Sequence, residues 1–126
     1  MGQYWKAVNL DKKEFIHPHE LGSGLKLWEI IANGEAGVGV ALCILLADMP
    51  EPRGGGDLQP NPFIGRWAGD RVALVGDYSR EGDKCHVNPV EIDGFVNITA
   101  DVAEIIELEL DGKYEGEGWK TFKRKD

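Results

Sequence analysis

Cysteine is scarce in this sequence, which holds only two cysteines among its 126 residues. Cys43 lies inside the apolar run VGVALCILLA, whereas Cys85 lies in a polar segment, so the two have neither a CxxC spacing nor an obvious shared turn. A disulfide framework or a cysteine-rich zinc site requires more cysteines at regular spacing. We therefore expect two reduced thiols in a cytoplasmic protein.

Histidine is also scarce, with three residues in the chain. His17 and His19 could in principle join Cys85 and His86 in a mixed zinc site. Pro18 breaks the regular backbone between the first two, and no second motif at metal-ligand spacing exists. Cys85 and His86 are adjacent, so in a strand they would point away from each other rather than form a nucleophile and its base. The sequence predicts no metal and no cofactor.

Long apolar runs and an excess of positive charge are missing as well. The longest apolar run covers residues 38–47 in mid-chain, and its ten residues are about half of what a membrane-spanning helix requires. No targeting signal is recognisable. The net charge is −8, whereas a surface that binds nucleic-acid phosphates should be basic. We expect no membrane association and no direct nucleic-acid contact, and an acidic chain of this kind could meet a basic partner.

The sequence does contain enough apolar material for one core, because 42% of its residues are hydrophobic and four of them are tryptophans. Turn residues separate two short segments, 4–9 and 14–17, which predicts an N-terminal β-hairpin. Apolar residues recur three and four apart from position 25 to 31, which predicts a helix with Trp28 and Ile31 on its core face. On that placement, Trp28→Ala would cost about 3 to 5 kcal/mol. Residues 37–48 fit a buried helix or a buried strand, and their composition favours the helix.

The second half of the chain is punctuated by proline and glycine. Residues 49–62 are predicted to be a loop. Residues 63–68 and 71–75 suggest two strands of a hairpin around Gly69-Asp70, and residues 87–92 and 95–98 suggest a second hairpin around Asp93-Gly94.

The last predicted elements are a helix and a strand. Asp101 followed by Glu104 is typical of a helix start, although IELEL within residues 101–111 also fits a strand. A final strand is expected around residues 118–123, with Trp119. The fold class is therefore α+β, a single domain over residues 1–126 with an antiparallel or mixed sheet and two or three helices largely on one face.

Residues 54–78 are the most distinctive tract, since six glycines, three aspartates and two arginines surround one short apolar segment. Loops on a rigid scaffold are where binding residues concentrate. The Gly54-Gly55-Gly56 run lacks the lysine or hydroxyl of a phosphate-binding loop. Candidate ligand-binding residues are Arg53, Asp57, Arg66, Asp77 and Tyr78.

Asp70 and Asp77 lie at opposite ends of the strand predicted at residues 71–75. Five residues of strand separate these ends by roughly 17 Å, so the two carboxylates do not share one small pocket. Asp70 is the better candidate for a turn residue, because turn aspartates accept hydrogen bonds from their own backbone. We therefore place the candidate site at the Asp77 end. If Arg66 and Arg71 pair with these aspartates, the four side chains would form a structural network rather than an active site.

Several segments together resemble a family of small, uncharacterised bacterial and bacteriophage proteins. These segments are the MGQY start, the GGGD run, the WAGDR…GDY centre and the closing GxGW, and they span nearly the whole chain. The resemblance implies a prokaryotic or phage cytoplasmic setting, and it raises the idea of an accessory or counter-defence factor. It implies no activity, cofactor or catalytic residue.

The sequence favours a small binding protein that presents residues 53–78 to a protein or a small anionic ligand. One alternative is a small hydrolase or transferase acting on a nucleotide-like substrate, with Asp70 or Asp77 as general acid or base and Arg66 or Arg71 on the substrate charge. Another is an acidic mimic that blocks a nucleic-acid-binding protein. A deep pocket joining Asp57, Arg66 and Asp77 would favour an enzyme or ligand binder, whereas an exposed acidic face would favour the mimic.

Overall fold

A computed structural model describes residues 2–32 and 37–113 of the chain. The elements, in chain order, are β1 (Trp5–Asn9), β2 (Glu14–Ile16), a 3-10 helix (Pro18–Leu21), α1 (Leu27–Ala32), α2 (Val38–Leu46), β3 (Val72–Gly76), α3 (Pro89–Asp93), β4 (Val96–Asn97) and α4 (Thr99–Lys113). The strand predicted at residues 118–123 lies outside the described residues.

The four strands form one mixed sheet in the order β3-β1-β2-β4. β1 pairs antiparallel with β2, which confirms the predicted hairpin, and antiparallel with β3. β4 adds to β2 in the parallel direction. The sheet and its helices confirm the predicted single-domain α+β fold.

Alternation along the strands creates a core on each face of the sheet, because neighbouring side chains in a strand point to opposite sides. Ala7 belongs to the larger core, which α1, α2, α4 and the buried Trp67 complete. Val8 belongs to a smaller core with Phe15 and Ile92, the latter from α3. Among the described helices, α1, α2 and α4 therefore lie on one face of the sheet, and the short α3 lies on the other.

α2 and α4 confirm the helices expected at residues 37–48 and 101–111. α4 buries Val102, Ile105 and Ile106, whose spacing of three and one places them on one helical face. It begins at Thr99, two residues before the expected Asp101, because the Asn97 side chain accepts a hydrogen bond from the Thr99 N–H at 2.9 Å. None of the helices in residues 2–32 and 37–113 has the length and apolarity to cross a membrane.

The strand predicted at residues 63–68 is wrong, and so is the hairpin around Gly69-Asp70. Residues 62–69 form successive turns. Two of their backbone N–H groups donate hydrogen bonds to carbonyls at the end of α2: Gly65 to Ile44 and Trp67 to Leu45, both at 2.9 Å. Gly65 has φ +74°, and a Cβ there would lie 2.5 Å from the Ala47 carbonyl oxygen. β3 consequently pairs with β1 rather than with these residues.

The strand predicted at residues 87–92 is also wrong, because residues 89–93 form α3. The Asn88 side chain accepts a hydrogen bond from Val90 N–H at 2.9 Å, and Pro89 occupies the first helical position, where its missing N–H costs nothing. Only Val96–Asn97 of the second predicted strand pairs, and it pairs with β2. The second predicted hairpin is therefore absent from the described residues.

α1 forms where a helix was expected but shows a different face to the core. Ile30 is its buried residue, whereas Trp28 and Ile31 are 79% and 60% exposed. The placement of those two on the core face is wrong. Apolar residues at 27, 28, 30 and 31 spread over about 160° of helix surface at 100° per residue, and in a six-residue helix only the Ile30 edge of that spread meets α2.

We predict opposite stability effects for two tryptophans. Trp67→Ala should lower the free energy of unfolding by about 3 to 5 kcal/mol, because it empties a fully buried site. Trp28→Ala should change it by no more than about 0.5 kcal/mol, as for surface substitutions generally. Urea unfolding followed by circular dichroism measures both. A Trp28→Ala loss as large as that of Trp67→Ala would contradict the exposed placement.

Candidate functional site

Arg66 and Trp67 hold a buried carboxylate together. Glu14, in β2, is 4% exposed. It accepts a hydrogen bond from Trp67 Nε1 at 2.9 Å and bonds from Arg66 Nε at 3.0 and 3.1 Å, with Arg66 Nη2 completing the pair. Buried charges persist in proteins when they are paired and hydrogen-bonded. The Arg66 guanidinium therefore forms an ion pair that stabilises the fold.

The same contacts set the ionisation of Glu14. Burial alone would raise the pKa of this carboxyl, but the hydrogen bonds from Arg66 and Trp67 outweigh burial, so its pKa lies below the ordinary value of 4.5. Hydrogen bonds to a charged form favour that form. Glu14 therefore carries its negative charge throughout the neutral range.

Asp70 and Arg71 fasten the β1–β2 turn to the start of β3. Asp70 Oδ2 accepts from Asn9 Nδ2 at 2.8 Å and from Lys12 Nζ at 2.5 Å. Both hydrogen bonds lower the pKa of Asp70, and the bond from Lys12 has the larger effect. Arg71 donates through its backbone N–H and its Nε to Asp11, each at 2.8 Å. Asp70 was considered as a general acid or base, and Arg71 as a contact for substrate charge. Both side chains instead hold the β1–β2 turn in place.

Arg53 and Asp57 flank the Gly54-Gly55-Gly56 run in the loop that follows α2. Asp57 Oδ2 accepts hydrogen bonds from the backbone N–H groups of Arg53 at 2.7 Å and Gly54 at 3.0 Å, which closes the loop on itself. Asp57 also lines a largely apolar cleft of about 290 Å³ between α2, the loop and α4, with Cys43, Leu58 and Ile106 among its walls. We call it the Asp57 cleft.

Asp77 lies just beyond β3 and continues its pairing with β1. Its backbone N–H donates to the Tyr4 carbonyl, and its Oδ1 accepts from the Tyr4 N–H, both at 2.9 Å. Tyr78 follows with 56% of its surface exposed. The aspartate therefore has a fixed position at the open end of the sheet.

A second cleft, of about 210 Å³, opens at this end of the sheet. We call it the Asp77 cleft. It is lined by Tyr4, Trp5, Lys6, His17, Leu25, Val75, Gly76, Asp77, Pro89 and Ile92. Lys6 pairs with Val75 across the strands, and alternation puts Tyr4, Lys6 and Asp77 on the same face as α3. The cleft thus lies between this face and α3.

The polar groups of the Asp77 cleft have distinct roles. His17 Nδ1 accepts from the His19 N–H at 3.3 Å. Burial lowers the pKa of His17 below its ordinary value of 6.5, and the Lys6 ammonium adds to the effect. The imidazole is therefore neutral at pH 7, with its proton on Nε2. Lys6 Nζ lies 3.4 Å from Asp93 Oδ1 and 5.1 Å from the Phe15 ring centroid.

The predicted site residues are distributed over different surroundings. Arg66 bonds with Glu14, Asp57 lines one cleft and Asp77 lines another, so neither of these clefts joins the three. Sequence reasoning missed Tyr4, Lys6 and His17. Alternation in β1 would have placed the first two on one face, but only the β1–β3 pairing shows that Asp77 joins them.

The histidines and cysteines of the chain were considered as metal ligands. In the part of the chain that the structure describes, no three histidine, cysteine, aspartate or glutamate side chains lie close enough together to hold a metal ion. The ring centroids of His17 and His19 are 6.3 Å apart, and His86 Nδ1 lies 2.8 Å from Ser79 Oγ in the loop between β3 and α3.

Comparison of the chain with protein-family models, with curated proteins and with solved structures finds no match. Function must therefore be inferred from the geometry of the chain itself.

We predict that Glu14→Gln destabilises the protein by about 1.5 to 3 kcal/mol at pH 7, the range for a lost hydrogen bond to a charged group. Because the pKa of Glu14 is lower in the folded state, its contribution is complete above its ordinary value of 4.5 and fades as pH falls through the folded pKa. The stability gap between wild type and variant should therefore narrow below about pH 4.5.

Urea unfolding of both proteins between pH 3 and pH 7 measures this gap, and Glu91→Gln, on an exposed residue of α3, is the matched control. A gap that stays constant or widens on acidification would contradict the assigned direction of the Glu14 pKa.

Proposed function

We propose that this chain is a small binding protein that recognises a partner or ligand through the Asp77 cleft. The observation that supports this most strongly is the position of Asp77. It lies at the strand end favoured from sequence, and there it meets Tyr4, Lys6 and His17 in one concave site. Concave sites with a few convergent polar groups are the usual places for recognition.

The size of the cleft supports binding of a small group over turnover of a nucleotide. Pockets for drug-sized ligands span about 300 to 1,000 Å³, and this cleft measures about 210 Å³. A single side chain fits that space better than a base, sugar and phosphate together. The arginines expected to hold an anionic substrate are paired with Glu14 and Asp11. These contacts weigh against the hydrolase or transferase alternative.

The acidic-mimic alternative has one observation in its favour. Glu20, Glu104 and Glu107 line one groove between the 3-10 helix and α4. An acidic groove attracts basic partners, and such attraction weakens steeply with salt. The mimic would therefore bind a nucleic-acid-binding protein less tightly as salt rises, and Glu104→Gln would weaken it more than Asp77→Asn.

We further propose a prokaryotic or bacteriophage cytoplasmic setting, with an accessory or counter-defence role. The resemblance of the MGQY, GGGD and GxGW segments to small bacterial and phage proteins supports this setting. A binding protein without its own chemistry is compatible with such a role.

We predict that the Asp77 cleft binds amino-acid side chains. A titration of ¹⁵N-labelled protein with N-acetyl, N-methylamide derivatives of arginine, glutamate and leucine should move the amide resonances of Trp5, Lys6 and Asp77 saturably with at least one probe. Asp77→Asn should change the affinity for that probe by at least about threefold, since it removes a charge at the site.

Asp70→Asn is the matched control at the other end of β3, and it should leave the affinity unchanged. Circular dichroism checks that both variants are folded. The proposal fails if resonances move only around the Asp57 cleft, or if Asp70→Asn abolishes binding while Asp77→Asn preserves it.

A further inference from the structure

The charged groups at the Asp77 cleft leave a net negative site. The Lys6 ammonium is partly neutralised by Asp93, 3.4 Å away. His17 is neutral at pH 7, because burial and Lys6 lower its pKa. Asp77 and Asp93 together outweigh Lys6 by one negative charge, and Asp77 is the carboxylate among the residues that line the cleft.

The hydrogen bonding of Asp77 leaves capacity for a cation. Its Oδ1 accepts from the Tyr4 N–H at 2.9 Å, and a carboxylate has about four acceptor positions on two oxygens. None of the ion pairs between described residues involves Asp77. The carboxylate is thus held in place by the backbone and remains open to a donor from outside.

One aromatic side chain completes the site. Tyr4 lines the cleft and is 44% exposed, whereas the Trp5 side chain packs against the larger core on the opposite face of the sheet. A cation near the face of an aromatic ring is attracted by the ring quadrupole. Guanidinium is planar and more weakly hydrated than ammonium, so it is better suited than lysine to a site that combines an aromatic ring with a carboxylate.

We propose that the Asp77 cleft receives an arginine side chain of a protein partner, with the guanidinium against the Asp77 carboxylate and beside the Tyr4 ring. This rests on the proposed binding function and names its partner chemistry. The net charge of −8 favours the approach of a basic surface. The cleft volume of about 210 Å³ suits one side chain. An anionic ligand, expected from Arg53 and Arg66, is not favoured, because Arg66 is paired with Glu14.

The test compares N-acetyl-arginine methylamide with the corresponding citrulline derivative, which has nearly the same shape but no charge. Both are titrated into ¹⁵N-labelled protein at low ionic strength. Arginine should bind with a dissociation constant of about 1 to 10 mM, as a single side chain allows, and citrulline at least about tenfold more weakly. Asp77→Asn should weaken arginine binding about tenfold and bring it close to citrulline. The variant should stay folded, because an asparagine oxygen can still accept from the Tyr4 N–H.

Asp101→Asn is the matched control, since it makes the same change of charge on α4, at the opposite face of the sheet. Its arginine affinity should stay within about twofold of wild type, as expected for a distant charge screened by solvent. Equal binding of citrulline and arginine by the wild type would overturn the inference, as would tighter binding of the glutamate derivative. In either case the cleft would still bind, and the proposed function would stand. Absence of shifts at the cleft with every probe would overturn both.

Discussion

The buried Glu14 carboxylate is the contact on which the arrangement of the chain depends. It joins the second strand to the indole N–H of Trp67 and the guanidinium of Arg66, fifty-three and fifty-two residues further along. With Trp67 buried in the larger core, residues 63–68 are fixed below the end of α2. Residues 70 and 71 then meet the β1–β2 turn, and β3 starts at Val72 beside β1.

The cleft at the far end of β3 follows from the register set in this way. Lys6 faces Val75 across the strands, and Tyr4 bonds with Asp77 beyond the last pair. Because side chains alternate along a strand, a shift of one residue would move Asp77 to the opposite face, away from α3. The structural contacts at one end of β3 therefore determine which side chains face α3 at the other end.

Local patterns were sufficient for part of this fold. Turn residues between two short segments identified the N-terminal hairpin, composition favoured a helix at α2, and apolar spacing behind a helix-start signal identified α4. Residues 63–68 form a short, partly apolar segment before a turn dipeptide, but their backbone donors and the Arg66 and Trp67 side chains bind partners that are distant in sequence, so the local pattern misled. For α3, Asn88 and Pro89 gave a usable helix-start signal that the apolar alternation obscured. Strand length separated Asp70 from Asp77, and the turn role of Asp70 favoured the Asp77 end, but the placement of Tyr4, Lys6 and His17 there depends on strand pairings that short-range patterns do not contain.

The neighbouring ends of β1 and β3 form the proposed recognition surface. The most direct test is the measurement of intermolecular nuclear Overhauser effects between ¹³C,¹⁵N-labelled protein and unlabelled N-acetyl-arginine methylamide. We expect contacts from the arginine side-chain methylene protons to the ring protons of Tyr4. Contacts to Cys43, Leu58 or Ile106 of the Asp57 cleft, without any to Tyr4, would contradict the account.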